Sequence, residues 1–360
     1  MKVFFDARFT RTSHHDGISR YGANLLAELA KLTEVTGIIS DDRQRALLPD
    51  TVDYVKLNSP ISPRELLIGR TLNKLGADVV FSPMQVMGAF GRRYRLILTL
   101  HDLIYYSHPE PPHDLPRLVR GIWRLYHKAY WPQRLLLNRA DAVASVSETT
   151  ARLIRKHRLT RRPVHVIGNA ADPTPPAQRD NTSQARSLVY MGAFLPYKNV
   201  ETLIASLEHL PGYTLHLLSR IRPERRDSLT ASAPDSARVI FHDGVTDQEY
   251  RRLLDEATAL VTASLDEGFG LPLVEAMGRS TPIVVSDLEI FREIGGDTAL
   301  YFEPRSPKQL ADRIHELENT TRWMAASEQG PAQAEKFSWQ ESAARLHELI
   351  TQLAAEPRRR

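Results

Sequence analysis

The sequence predicts an α/β chain of two doubly wound domains, each a parallel sheet covered by helices on both faces. Three observations carry that prediction. At 360 residues the chain is too long for one ordinary core. Apolar runs of strand length alternate with helical patterns from end to end, the rhythm of parallel sheets with crossover helices. Near the middle, residues 170–184 form a polar, proline-rich stretch without periodicity, which reads as a linker.

In the first half the predicted strands are 2–5, 35–39, 79–81, 96–100, 142–145 and 164–167. Helical patterns fall at 18–32, 64–75, 115–138 and 149–157. The second half repeats the rhythm with strands at 188–191, 214–218, 239–241, 259–263, 283–285 and 299–302. Thr246 with Glu249, and Ser338 with Glu341, have the capping-box spacing that starts a helix. The implied boundaries are a domain at 1–169, a linker at 170–186, a second domain at 187–336 and a C-terminal helix with basic tail at 337–360. Two such domains are expected to face each other across a cleft, because ligands in doubly wound sheets bind beyond the carboxyl ends of the strands.

Composition narrows the class. Charged residues at 25% and hydrophobic residues at 42% describe an ordinary soluble globular protein. No apolar run approaches the length of a membrane span, and the N-terminus has a charge within six residues and no signal-peptide core. With no cysteine, a disulfide framework and a thiolate nucleophile are excluded. A cytoplasmic enzyme is the expectation. The net charge of +4 conceals an asymmetry: residues 1–180 carry 27 Lys and Arg against 17 Asp and Glu, and residues 181–360 carry 20 against 26. A basic first half expects an anionic partner. Nucleic acid is not expected, since no zinc finger, RNP-type or heptad-linked basic motif is present. A membrane surface or a phosphate-bearing acceptor meets the charge with fewer missing parts.

The most informative segment is Ser264-Leu-Asp-Glu-Gly-Phe-Gly-Leu-Pro-Leu-Val-Glu275. An apolar strand there ends in a glycine turn and opens a helix, which presents free backbone N–H groups to a phosphate. The flanking carboxylates of Glu267 and Glu275 suit the hydroxyls of a sugar. A glutamate early in a helix often does no more than complement the dipole, but two of them around a glycine turn at a strand end favour a site. They suit an acid/base pair poorly: such carboxyls stand about 5–10 Å apart across a sugar, and eight helical residues would span ~12 Å. Lys198 follows a strand, Gly192 and Pro196, where a lysine can meet a diphosphate; a solvated surface lysine is the plainer alternative. Gly17, after Asp16, opens a helical pattern, either as a simple helix start or to let a ligand approach the backbone. His101 closes a strand with Asp102 behind it, a place where sites form, although a lone histidine is usually structural.

These segments, in this order, resemble retaining glycosyltransferases of family 4, which have the GT-B fold. Ser264–Glu275 resembles the family's E-x7-E element; Asp16-Gly-Ile-Ser-Arg-Tyr21 its first glycine loop; His101-Asp-Leu103 its histidine element; Val146-Ser-Glu-Thr149 its serine element; Gly192-Ala-Phe-Leu-Pro-Tyr-Lys-Asn199 its donor-phosphate loop. Phe337-Ser-Trp339 looks like the start of a helix crossing back to the first domain. The resemblance spans essentially the whole chain. It implies that Glu275 binds the donor ribose and Glu267 the hexose hydroxyls. Gly268, Phe269, Gly270 and Leu271 would line the donor site, the first three through backbone N–H groups. Lys198 would hold the diphosphate and His101 the donor sugar, so His101, Glu267 and Lys198 are the expected catalytic residues. Gly17 and Gly192 are expected beside the donor phosphates, and Asp16, Arg20, Tyr21 and Asp102 on the acceptor side. Where the family often has an arginine after the loop glycine this chain has Ala193, and Arg220 is the candidate second cation.

The resemblance further implies a nucleotide-sugar co-substrate and a saccharide or lipid-linked acceptor, with no cofactor and no metal. GDP-mannose is the first expectation for the donor and a UDP-hexose the next. An epimerase or phosphorylase of the same fold, or an inactive sugar-nucleotide-binding scaffold, is the rival. Residues 115–139 and 155–162 mix Arg and Lys with Trp and Tyr, which suits either an anionic membrane surface or a packed helix with snorkelling ends.

Overall fold

The computed structural model describes residues 1–110, 117–172 and 185–356. It holds two parallel sheets. The first contains β1 (Val3–Asp6), β2 (Val35–Ile39), β3 (Asp53–Lys56), β4 (Val79–Ser82), β5 (Arg95–Leu100), β6 (Ala142–Ser145) and β7 (Val164–Val166), in the order β3-β2-β1-β4-β5-β6-β7. The second contains β8 (Ser187–Tyr190), β9 (Thr214–Leu217), β10 (Arg238–Phe241), β11 (Ala259–Thr262), β12 (Ile283–Ser286) and β13 (Leu300–Phe302), in the order β10-β9-β8-β11-β12-β13. Both are the doubly wound order, in which the direction of winding reverses beside the first strand. The chain divides into two compact units after Ala170, and the segment from Ser338 onward belongs to the first.

The strands form where the sequence is apolar without alternation, because helices cover both faces. All residues of β1, β4, β6, β11 and β12 are buried. β3 is the one strand the periodicity missed. It is a short edge strand, Asp-Tyr-Val-Lys, that pairs only with β2 and buries none of its residues fully. The helix expected across 115–138 is two helices among the described residues, Arg117–Tyr126 and Trp131–Leu137. Pro132 explains the break: it lacks an N–H and fits only the first turn of the second helix. The proline-rich linker expected at 170–186 falls mostly on 173–184, outside the described residues.

Thr246 and Ser338 cap their helices as the spacing predicts, each side chain accepting from the backbone N–H three residues on. The helix Trp339–Ala355 packs in the first unit against the helix Gly17–Leu29. Trp339 lies 5.9 Å from the Tyr21 ring, and Ser342 Oγ donates to Gly168 O at 2.9 Å.

A buried ion pair fixes β5 against β6. Arg92 and Asp141 approach to 2.6 Å with side chains 3% and 5% exposed, and Asp141 Oδ2 also accepts from Leu96 N at 2.9 Å. Replacing Asp141 with alanine strands the Arg92 charge. The expected loss is about 3–5 kcal/mol of stability for the first unit, read by urea denaturation. A loss under about 1 kcal/mol would show that water reaches the arginine.

Candidate active site

In the second unit the winding reverses between β8 and β11, so the loops leaving their carboxyl ends diverge and open a crevice. The loop after β8 begins at Met191-Gly192. A Cβ on Gly192 would lie 2.7 Å from the Tyr190 hydroxyl, which donates to Ala193 O at 2.7 Å, so this loop closes only on glycine. The loop ends in a 3₁₀ turn, Pro196–Lys198, and then Asn199 at φ 52° and ψ 43°. Asparagine tolerates that left-handed conformation, and here its amide donates to Ala263 O at 3.0 Å and Pro304 O at 2.7 Å. Leu265 N donates to Tyr197 O at 2.7 Å. The loops after β8 and β11 are thus stitched together by main-chain contacts, and the stitching brings Lys198 onto Glu267. Lys198 Nζ donates to Glu267 Oε2 with both side chains mostly buried, and Ser264 Oγ reaches the same oxygen at 3.5 Å.

The glycine turn follows. Gly270 sits at φ 103°, a conformation open to glycine, and starts the helix Leu271–Gly278 with Pro272 in its first turn. The Phe269 ring is buried edge-on against Phe337 at 5.6 Å, so only its backbone is available to a ligand. Glu275 lies one turn into the helix and accepts from Tyr250 OH at 3.0 Å. Glu267 answers to a lysine and Glu275 to a tyrosine, so the two carboxylates have separate partners.

Arg220 is exposed beyond β9, its side chain lying over the Gly244 turn. Arg225, which the sequence reading passed over, contacts the loop itself. Its Nε donates to Phe194 O at 3.1 Å and its guanidinium pairs with Glu201 at 2.7 Å. Five arginines between 220 and 238 share similar polar surroundings in sequence, so spacing could not single it out.

In the first unit Asp16 caps the helix Gly17–Leu29, accepting from Ser19 N at 2.9 Å, and pairs with Arg11 at 2.6 Å. Nothing in the fold demands glycine at 17, where a Cβ would meet open space. Arg20 is half-buried in the first turn. Tyr21 corrects the expectation of an acceptor-side residue: it is fully buried, donates to Ile167 O at 3.1 Å and packs edge-on against His101 at 5.0 Å. It braces the histidine from behind. His101 Nε2 lies 2.7 Å from Pro83 O, which places the ring proton on Nε2 and leaves Nδ1 an acceptor. Its carbonyl already accepts from Thr150 Oγ1 at 3.1 Å. Burial lowers the His101 pKa, outweighing the Pro83 carbonyl and the Asp16 charge, which favour protonation. Asp102 accepts from Ile104 N at 3.1 Å and starts the turn behind the strand.

Sequence reasoning also missed a buried network at the end of β1. Arg8 bridges Asp6 at 2.7 Å and Glu65 at 2.6 Å, and Glu65 accepts from Gly88 N at 3.0 Å. Burial opposes the Arg8 charge, and the two carboxylates outweigh it and raise its pKa. The network fastens the loops after β1, β3 and β4 to one another.

Two sheets of this winding have the topology found in GT-B glycosyltransferases. Residues 15–174 match the family described as Glycosyltransferase Family 4, and residues 176–330 match that described as Glycosyl transferases group 1. The chain belongs to these glycosyltransferases. It is similar to the O-antigen chain mannosyltransferase RfbU of Salmonella typhimurium, 27% identical over 61% of this chain and 60% of that protein. It is also similar to the O-antigen chain mannosyltransferase B of Escherichia coli, 26% identical over 69% of this chain and 68% of that one. The chain therefore aligns with about three fifths to two thirds of these relatives' length. Among solved structures, Anabaena HepE in complex with UDP and glucose shares the fold, with a TM-score of 0.70 at 18% identity over 98% of this chain and 99% of that one.

The lowered His101 pKa carries a sign. Above the ordinary value of 6.5 the ring is neutral in both folded and unfolded chains. Below it the unfolded histidine takes a proton that the folded one resists, so stability falls with pH. His101→Gln removes that contribution. The wild-type melting temperature is expected to fall more steeply than the variant's between about pH 7 and pH 5.5, and parallel profiles would contradict the buried neutral ring.

Proposed function

We propose that this glycosyltransferase moves mannose from GDP-mannose to a hydroxyl of a saccharide or lipid-linked acceptor, with retention of anomeric configuration and without a metal ion. The observation that carries the proposal is the Lys198–Glu267 pair between the Gly192 loop and the Gly270 turn. On donor binding the Lys198 ammonium turns to the diphosphate and stabilises the charge of the leaving nucleotide. Glu267, released from its lysine, accepts from hexose hydroxyls, and Glu275 accepts from the ribose. The acceptor oxygen bonds to the anomeric carbon on the face that the phosphate leaves, and its proton passes to the departing phosphate oxygen. Arg225, anchored on the loop carbonyl of Phe194, holds the phosphate loop in shape; Arg220 remains the candidate second cation. The mannosyltransferase names of the relatives support the sugar, and HepE with UDP and glucose supports a nucleotide-sugar donor.

Thermal-shift titration separates the donors: GDP is expected to raise the melting temperature more than UDP or ADP, and no shift with any of them would end the proposal. Lys198→Ala and Glu275→Ala are each expected to lower kcat/KM by about 100-fold or more, with EDTA leaving the wild-type rate unchanged. NMR of the product would settle the anomer, and an inverted linkage would refute the same-face step.

The reading includes a peripheral membrane contact from a cytoplasmic location. Among the described residues no helix is long and apolar enough to cross a membrane. Leu125, Trp131 and Leu135 are 70%, 62% and 55% exposed, beside exposed Arg124, Lys128 and Arg134. Arg134 donates to the carbonyls of His157 and Arg158 at 2.9 and 3.1 Å, which joins this surface to the exposed Arg155, Lys156 and Arg158. An apolar ridge within a basic field suits anionic headgroups. Sedimentation with phosphatidylglycerol vesicles is expected, weakened by salt and by Trp131→Ala. Equal binding to phosphatidylcholine alone would refute the electrostatic part.

A further inference from the structure

The helix that carries Glu275 does not explain its carboxylate. Leu271 opens that helix and Glu275 follows four residues later, past the first turn where a helix dipole attracts negative charge. The side chain is half-buried, and its partner comes from a different element. That element is the helix Asp247–Glu256, which crosses over between β10 and β11. Tyr250 OH donates to Glu275 Oε2 at 3.0 Å across 25 positions of sequence.

Further contacts hold the tyrosine in place. Arg279, just beyond the Glu275 helix, donates to both carboxylate oxygens of Asp255, its Nε at 2.6 Å. Thr281 Oγ1 donates to Leu254 O at 3.0 Å. These contacts tie the two helices together at their far ends. At the near end Thr246 caps the crossover helix, accepting from Glu249 N at 3.2 Å, and Tyr250 N donates to Thr246 O at 2.8 Å. Tyr250 is 8% exposed, so its ring is packed as well as bonded.

A buried tyrosine hydroxyl needs an acceptor, and a backbone carbonyl would serve. A carboxylate partner has a further consequence. A phenol donates one neutral hydrogen bond, so it orients the carboxylate without cancelling its charge and uses one of about four lone-pair sites. Glutamate is flexible, and ordering it costs free energy. Ordering it in advance removes that cost from binding. A carboxylate held in one plane receives two neighbouring hydroxyls together, and a ribose offers such a pair at its 2′ and 3′ carbons.

We propose that Tyr250 is a positioning residue of the donor site. By holding Glu275 Oε2 it presets the carboxylate for the paired hydroxyls of the nucleotide, and so sets the preference for ribose over deoxyribose. The inference rests on the reading that Glu275 accepts from the donor ribose. To that reading it adds a residue of a crossover helix, which acts through Glu275.

Isothermal titration calorimetry on the full chain compares GDP and UDP with their 2′,3′-dideoxy forms. The ratio of affinities isolates the hydroxyl pair, because base and diphosphate are common to both forms. The wild type is expected to bind a ribose form about ten-fold or more tightly than its dideoxy form. Tyr250→Phe, which deletes one oxygen, should cut that ratio about three- to ten-fold and leave binding of the dideoxy form unchanged. In steady-state rates the donor KM should rise while kcat is largely kept. Circular dichroism checks folding, and Tyr250→Leu is a second variant without the hydroxyl. A ratio that Tyr250→Phe leaves intact, while Glu275→Ala abolishes it, overturns the inference and leaves the ribose reading of Glu275 standing. Equal weakening of both forms overturns the inference too, since a tyrosine that only supports the fold would act that way. A ratio that survives Glu275→Ala, or binding of neither nucleotide, removes the ribose reading and the inference with it.

Discussion

Within each sheet the strands run parallel, and that constraint organises the rest of the structure. Parallel neighbours require crossover connections, so every strand's carboxyl end emerges at the same edge. Helices cover both faces, and strands such as β4, β11 and β12 are buried throughout. Little polar chemistry can reside inside such a sheet; it collects where the strands stop. Lys198 and Glu267 follow the two strands that flank the reversal in the second sheet, and His101 follows β5 in the first. Asp6, at the end of β1, is buried because Arg8 neutralises and hydrogen-bonds it and Ser82 Oγ donates to it.

In the second unit the charged groups satisfy each other: Lys198 holds Glu267, Tyr250 holds Glu275, and Arg225 holds Glu201 and the loop carbonyl. A ligand there must exchange one partner for another, which suits an ionic group able to compete with a carboxylate. The cavity beyond β5 in the first unit is lined, among the described residues, by aromatic rings and one carboxylate, Asp102.

Parts of this were legible in the sequence for identifiable reasons. Buried strands announce themselves because their residues are apolar on both faces, and β3 did not because one edge strand of four residues carries no such pattern. The break at Pro132 was readable in principle, but the aromatic and basic residues on either side imitate one continuous helix. Gly270 marks a turn whose backbone favours glycine, and at Gly192 the Tyr190 ring crowds any Cβ, so the loops they build were visible as spacing. Tyr21 misled because its place next to the glycine loop said nothing about which way the ring turns, and helix packing against Trp339 turned it inward.

The sequence by itself determined the two doubly wound sheets, the glycine turns and the positions of Lys198, Glu267, Glu275 and His101 at strand or helix ends, since these follow from local periodicity and backbone sterics. Only the tertiary structure decided which side chains meet. Lys198 and Glu267 lie 69 positions apart, and the Asn199 amide and the main chain of Leu265 bring them together. Trp123 and Gln133 looked like parts of one amphipathic helix until folding turned them toward the cavity behind His101. Pairing across such separations depends on strand order and loop closure, which no local pattern of residues encodes.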